Sequence, residues 1–198
     1  MSPTQHNPYT LETVYTKPAE NGYGKPLAYQ RFEILKLFDF NSVLDVGSGA
    51  CFLLDWLKEN NIETDYLWLV PSYEAVDIRP QALALCNCQT YTQIPKNKVY
   101  DLVCLFGTVT YNLDYDNEKN KQTLVSLLQE SIQASKKYLL FTVMKKEINH
   151  PVVIEANRFL YYTKQDVVNL LTDLKVTKYE IIENDNYDRE EYFVVIHR

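Results

Sequence analysis

The chain has 198 residues, of which 46% are hydrophobic, 5 are glycine and 8 are proline. This length predicts one domain, and this composition excludes disordered and collagen-like proteins. Acidic residues outnumber basic ones by 26 to 20, and the resulting net charge of −6 argues against nucleic acid as a partner, because proteins that bind polynucleotides concentrate positive charge.

The beginning of the chain predicts an irregular arm followed by a helix. Residues 1–25 contain several prolines and glycines and show no sustained hydrophobic period, which is typical of irregular structure. Pro26 suits the first turn of a helix, and apolar residues at mostly helical spacing extend this helix to about Phe38. We therefore divide the chain into an N-terminal arm, residues 1–25, and a single domain, residues 26–198.

Strand and helix patterns alternate through the middle of the chain. The predicted strands cover residues 42–46, 73–77, 88–91, 100–106 and 137–144. Of the helices between them, one begins at Phe52, a short one covers residues 80–85, and one covers residues 117–135. Residues 65–71 are apolar but end in a proline, and we interpret them as an insertion.

The end of the chain predicts a further helix and a pair of strands. Thr163 begins the helix, with Asp166 three residues later as in a capping box. Residues 175–182 and 191–197 predict two strands joined by a polar turn. Five alternating strands followed by an antiparallel pair predict an α/β fold with a doubly wound, mostly parallel seven-stranded sheet and a reversed strand near the C-terminal edge.

The cysteines and the hydropathy bear on where the protein works. Cys86 and Cys88 are too closely spaced for an ordinary zinc site, and no partner pair follows them, so we expect free thiols and no metal. No apolar run approaches the roughly 20 residues that span a bilayer, and we see no secretory signal. These features predict a cytoplasmic protein without a membrane partner.

The strand-to-helix junction at residues 43–49, Val-Leu-Asp-Val-Gly-Ser-Gly, is the segment most informative about function. Glycines permit a tight turn and the close approach of a ligand, and the following helix offers N–H groups at its N-terminus. Asp77, at the end of the second strand, can accept hydrogen bonds from ribose hydroxyls. Together they indicate a site for an adenosine-containing ligand at the carboxyl edge of the sheet.

Two residues argue against a nicotinamide dinucleotide as this ligand. The dinucleotide fingerprint requires a small residue at its last position, which falls here on Phe52. Asp45, two residues before Gly47, would repel a pyrophosphate and suits a ligand with a cationic end. A nicotinamide oxidoreductase is therefore the less favoured reading.

This junction resembles the first motif of the class I S-adenosylmethionine-dependent methyltransferases, V-L-D-x-G-x-G-x-G, with Cys51 in place of the third glycine. Residues 75–78, Ala-Val-Asp-Ile, resemble the second motif, and residues 100–103, Tyr-Asp-Leu-Val, resemble the start of the fourth strand. The resemblance covers most of the chain and is greatest to small, single-domain bacterial members. It implies S-adenosyl-L-methionine as cofactor and S-adenosyl-L-homocysteine as product.

The resemblance also implies roles for individual residues. The cofactor-binding set comprises Asp45, Gly47, Ser48 and Gly49 at the amine and ribose side, Asp77 and Ile78 at the ribose, Thr90 and Tyr91 at the adenine, and Phe106, Arg31 and Tyr23 around the methionine end. Arg31 would pair with the methionine carboxylate through its fork of donors. Tyrosine rings such as Tyr23 would lie near the sulfonium cation.

The implied reaction is methyl transfer to a small-molecule acceptor, with a nitrogen or oxygen nucleophile aligned for in-line displacement. Tyr111 and His150 are the candidate catalytic residues, the first as a polarisable ring and the second as a base. The tyrosine-rich arm would close over the site of a monomer or homodimer. Two alternatives remain: a non-catalytic cofactor-binding or regulatory protein of the same fold, and a methyltransferase acting on a protein or RNA.

Overall fold

The computed structural model describes residues 25–47, 52–62, 72–76, 89–91, 93–109, 117–146, 160–184 and 190–198. The helices in these ranges are α1 (Lys25–Phe32), α2 (Phe52–Glu59), α3 (Asn117–Ala134) and α4 (Lys164–Asp173), and a 3₁₀ helix (Glu33–Leu37) follows α1. The strands are β1 (Ser42–Val46), β2 (Ser72–Val76), β3 (Gln89–Tyr91), β4 (Tyr100–Leu105), β5 (Ser135–Lys145), β6 (Tyr161–Tyr162), β7 (Tyr179–Asn184) and β8 (Glu191–His197).

The described strands form a single sheet. Seven of them follow one another in the order β3-β2-β1-β4-β5-β8-β7, and the two-residue β6 pairs with β5. Strands β1 to β5 are parallel, whereas β8 runs antiparallel to both of its neighbours, β5 and β7. This confirms the predicted doubly wound, mostly parallel sheet with a reversed strand near its C-terminal edge, to which β6 is an addition.

Different helices cover the two faces of the sheet. Every residue of β4 is buried, as expected for a central parallel strand. Val103 and Leu105 face a cluster that includes residues of α3 and α4, while Leu102 and Cys104 face a cluster that includes residues of α1 and α2. The alternation of side chains along β4 thus gives each pair of helices its own half of the core.

The first helix differs from its prediction. The sequence predicts one helix from Pro26 to about Phe38, but the chain tightens into the 3₁₀ helix after Phe32. The Phe38 N–H then donates to the Leu35 carbonyl at 3.1 Å, a bond across three residues. The tighter turn suits the spacing of Phe32, Leu35 and Phe38, because residues three apart share one face of a 3₁₀ helix.

Helix α4 begins as predicted, but the strand after it does not. Thr163 Oγ1 accepts from the Asp166 N–H, and the Asp166 carboxylate accepts from the Thr163 N–H, which confirms the capping box. The prediction that a strand begins at Lys175 is wrong. Lys175 has a φ of 58°, and the Val176 N–H donates to the Leu171 carbonyl, so both residues terminate α4.

Several predictions concern residues outside the described ranges. These are residues 1–24 of the predicted arm, the insertion at residues 65–71 and the helix at residues 80–85. Lys25, the last residue predicted for the arm, instead begins α1. Cys104 is a buried free thiol, and burial raises its pKa well above the usual value. Among the described helices, none is long and apolar enough to span a membrane.

Candidate functional site

The loops that follow β1 and β4 meet at the carboxyl edge of the sheet. The two strands are parallel neighbours, with Asp45 of β1 opposite Cys104 of β4. Gly47 begins the loop after β1, and Phe106 begins the loop after β4. Ligands of open α/β sheets bind outside the carboxyl ends of the strands, so this edge is where a site is expected.

Asp45 is a buried carboxylate on a central strand. Its residue is 4% exposed, and β1 lies between β2 and β4. Together with burial, its charge raises the pKa of the Cys104 thiol. An anion in such a position favours a cationic group at the adjacent edge. The structure therefore places Asp45 where the sequence predicts it, and its role as a ligand remains a prediction.

Gly47 adopts a conformation that favours glycine. Its φ is 76°, in the left-handed region that side chains disfavour. A Cβ here would overlap Thr108 Oγ1 and would lie 3.1 Å from the Thr108 methyl carbon. Thr108 Oγ1 also donates to the Val46 carbonyl at 2.9 Å. The absence of a side chain at residue 47 thus lets the β4 loop pack directly on the β1 loop.

The β4 loop is fixed from both sides. The Gly107 N–H donates to Thr142 Oγ1 of β5 at 2.8 Å in a buried position. On the other side, the Phe106 ring packs edge-on against Phe32 of α1, with 5.1 Å between ring centroids. Helix α1 is therefore attached to the loop that carries Phe106, and the place of Phe106 near the methionine end of the cofactor remains a prediction.

Arg31 of α1 is buried, and its fork of donors faces a protein carboxylate. Its Nε donates to Glu191 Oε2 at 2.8 Å, and its Nη2 donates to Glu191 Oε1. The predicted pairing of Arg31 with a ligand carboxylate remains a prediction, and it must accommodate this partner. Sequence reasoning missed Glu191, because it follows Glu190 after a polar turn and nothing local separates a buried glutamate from an exposed one.

The predicted adenine side is described only in part. Thr90 pairs with Ala75 of β2, and Tyr91 ends β3. The Tyr91 hydroxyl accepts from Lys98 Nζ at 2.8 Å, and its ring packs on the core face shared with α3 and α4. Thr90 and Tyr91 as adenine neighbours thus remain predictions.

A second residue that the sequence did not reveal is Tyr162 of β6. Its hydroxyl donates to the Val109 carbonyl of the β4 loop at 3.5 Å. Burial, with a smaller contribution from the Asp166 carboxylate, raises the pKa of Tyr162 to about 12. Tyr162 is therefore a neutral, partly buried ring close to the loop of the candidate site.

The remaining predicted site residues lie outside the described ranges. They are Ser48, Gly49, Asp77, Ile78, Tyr111, His150 and Tyr23.

Comparison with known proteins adds evidence on the fold. No protein-family model matches the chain, and no curated protein matches it significantly. A Nostoc punctiforme protein assigned as an O-methyltransferase is similar in structure, with a TM-score of 0.68 and 12% identity over 95% of this chain. An S-adenosylmethionine-dependent methyltransferase of Archaeoglobus fulgidus has a TM-score of 0.65 and 14% identity over 94% of this chain. Magnesium protoporphyrin IX methyltransferase of Synechocystis, with bound S-adenosylhomocysteine, has a TM-score of 0.60 and 9% identity over 96% of this chain.

The chain has the class I S-adenosylmethionine-dependent methyltransferase fold. It covers 97% of the Archaeoglobus methyltransferase and 88% of the Synechocystis enzyme, but only 59% of the Nostoc protein. The likeness to these methyltransferases at 9–14% identity shows the fold alone.

Proposed function

We propose that this chain binds S-adenosyl-L-methionine and transfers its methyl group to a nitrogen or oxygen nucleophile of a small molecule. The observation that carries the proposal is the buried carboxylate of Asp45, which lies two residues before Gly47 at the carboxyl edge of a methyltransferase fold. An acid in this position is unsuited to a ligand that presents phosphate there, and it suits one that presents a cation.

The described residues fit this cofactor by the chemistry of their side chains. Its amino-acid end carries an ammonium, which Asp45 would hold, and a carboxylate, which the guanidinium of Arg31 would hold. Gly47, with its positive φ, lets the chain turn sharply at the end of β1, and the nucleoside would lie along the backbone of this loop. Asp77, Ile78, Ser48 and Gly49 complete the proposed contacts with the ribose side.

When bound, the cofactor supplies a methyl group already activated on a positively charged sulfur. The task of the protein is then to orient an acceptor and to exclude water. Phe106, held by Phe32, and Tyr162 would form part of the wall near the acceptor. Because the pKa of Tyr162 is raised to about 12, its hydroxyl stays protonated at neutral pH and does not serve as a base. His150 is the proposed base, and Tyr111 is proposed to place its ring beside the cation.

A small acceptor is supported by charge and by the relatives. The net charge of −6 disfavours a polyanionic substrate. One similar structure is a magnesium protoporphyrin IX methyltransferase, and another is the pyocyanin biosynthetic protein PhzM, with a TM-score of 0.62. Both names refer to small molecules, and they support the same class of acceptor for this chain.

Isothermal titration of the full chain with S-adenosylmethionine and S-adenosylhomocysteine tests cofactor binding. We expect dissociation constants between roughly 1 μM and 1 mM, the usual range for enzyme substrates. Asp45→Asn should weaken binding of S-adenosylmethionine by about 10-fold or more, as the loss of a charge-assisted contact implies. No heat of binding for either compound at millimolar concentration would refute the proposal.

Asp101→Asn is the matched control for this variant. Asp101 is also a buried aspartate of a central strand, but it lies near the amino end of β4, where it contacts Lys137 and the Asn41 N–H. Its substitution should leave cofactor affinity within about twofold while reducing stability. Formation of S-adenosylhomocysteine with a panel of phenols, amines and carboxylic acids then tests catalysis. Binding without turnover across the panel would favour the non-catalytic alternative.

A further inference from the structure

A buried glutamate with no part in the proposed reaction lies beside the candidate site. Glu191 opens β8 opposite Met144 of β5, and its residue is fully buried. A carboxylate in such a position is unfavourable unless a cation and hydrogen bonds compensate it. Arg31 provides both, because two of its nitrogens donate to the two oxygens of Glu191.

This pair determines where the third nitrogen of Arg31 lies. Since Nε and Nη2 both face the carboxylate of Glu191, the planar guanidinium is fixed in orientation. Its Nη1 lies 3.5 Å from the place that a Cβ on Gly107 would take. Gly107 is in the β4 loop, and Thr142 holds its amide. Glu191 therefore keeps a cation against the loop that adjoins Gly47.

We propose that Glu191 is a positioning residue that holds the Arg31 guanidinium where it binds the carboxylate of the cofactor's amino-acid end. The inference rests on the proposed function. It also assigns Asp45 and Arg31 complementary roles, since one offers a negative and the other a positive charge at the same edge of the sheet. Together they would recognise a zwitterionic α-amino-acid group. Glu191 acts through Arg31 and does not itself touch the reacting atoms.

The direction of the effect separates positioning from simple charge compensation. If Glu191 only neutralised Arg31, removing its charge would leave a stronger cation and tighter binding of a carboxylate. If Glu191 positions Arg31, its loss leaves a buried guanidinium that cannot release its proton. Such a group relieves its burial by turning towards water, so it leaves the site and carboxylate binding weakens.

Two ligands that differ in their amino-acid end make this measurable. S-adenosylhomocysteine has the carboxylate and ammonium, whereas 5′-methylthioadenosine has the same nucleoside and thioether without them. By titration calorimetry, Glu191→Gln should lower the affinity for S-adenosylhomocysteine by about 10-fold and change the affinity for 5′-methylthioadenosine by less than about twofold. Glu191→Asp, which keeps the charge, should restore part of the lost preference for S-adenosylhomocysteine over 5′-methylthioadenosine. A merely structural role would change both affinities by the same factor.

Glu183→Gln is the matched control. Glu183 of β7 also pairs with a cation of the sheet, Lys145 at 3.0 Å, but its side chain is about half exposed. Both affinities should stay within about twofold in this variant. If Glu191→Gln fails to fold, Glu191→Asp, which keeps the charge on a shorter side chain, should still weaken S-adenosylhomocysteine binding more than 5′-methylthioadenosine binding.

The outcomes distinguish this inference from the proposed function. Equal weakening of both ligands, or tighter binding of S-adenosylhomocysteine, would overturn the role of Glu191 and leave cofactor binding intact. Wild-type protein that binds neither ligand would overturn the proposed function and this inference with it.

Discussion

The side chain of Thr108 occupies the space that a Cβ at Gly47 would need. The first residue lies in the loop after β4 and the second in the loop after β1, so the contact joins the two loops of the candidate site. Thr108 also donates to the Val46 carbonyl, which fixes its side chain in that space. The glycine of the first motif is therefore required by packing within the protein as well as by any ligand.

Gly47→Ala should lower the free energy of unfolding by at least about 2 kcal/mol, because backbone strain and overlap with Thr108 add. Gly107→Ala is the control, since Gly107 has the same φ of 76° but its Cβ would make only an ordinary contact with Arg31. It should lose about 1 kcal/mol from strain alone. Urea unfolding of both variants measures the difference. Equal losses would show that Thr108 yields without cost.

Arg31→Met should lower the free energy of unfolding by about 3–5 kcal/mol, because it leaves the carboxylate of Glu191 buried without a cation. The double variant Arg31→Met/Glu191→Leu should recover most of this loss, since apolar replacements of a buried pair are often neutral. Lys36→Met is the control, because the Lys36–Glu33 pair is about half exposed and should contribute less than about 1 kcal/mol. Additive losses in the double variant would contradict the account of the buried pair.

Asp166 should make the free energy of unfolding decrease at low pH. Hydrogen bonds from the Thr163 backbone and side chain lower the pKa of Asp166 below its ordinary value. Its contribution is therefore complete above the unfolded-state pKa of about 3.9 and is lost as the pH falls through the lower folded-state pKa. Asp166→Asn should be less stable at pH 7 and should lose less stability between about pH 4 and pH 2.

Thr163→Ser tests the capping box behind this effect. Serine keeps the hydroxyl that bonds the Asp166 N–H, so the acid dependence should match that of the unmodified chain. Thr163→Ala should lose about 1 kcal/mol at pH 7, the usual value of an N-cap. Thermal unfolding across the acid range gives both values. An unchanged acid profile in Asp166→Asn would be evidence against the box in solution.

Tyr162 should produce a loss of stability in base. Its folded-state pKa of about 12 lies above the ordinary tyrosine pKa of about 10, so the unfolded chain releases this proton first. Stability from Tyr162 is therefore complete below about pH 10 and declines as the pH rises towards 12. Tyr162→Phe should decline less between pH 9 and pH 11, as measured by urea unfolding. Identical declines would place the Tyr162 phenol in water.

The fold could be predicted well where local pattern and packing agree. Strands β1 and β8 have the predicted bounds, because each is a short apolar run enclosed by polar residues or turns. Strand β7 was misplaced because Lys175 adopts a left-handed conformation that a lysine seldom shows and that no pattern announces. The two-residue β6 was missed because only its pairing with the end of β5 makes it a strand.

The candidate site was predictable only where its residues are adjacent in sequence. Asp45 and Gly47 belong to one motif, and both lie where the motif predicts. Glu191 and Arg31 are 160 residues apart, and their pairing follows from β8 entering the sheet beside β5. A contact of this kind depends on topology, so a single sequence carries no local sign of it.

A crystal structure of the full chain grown with S-adenosylhomocysteine would show directly whether this edge of the sheet holds the cofactor. We expect the ligand at the carboxyl ends of β1 and β4, with its ammonium on Asp45, its carboxylate on Arg31 and its nucleoside along Gly47. Crystals in which that edge is empty or filled by the protein's own side chains at saturating ligand, or in which the ligand binds elsewhere, would contradict it.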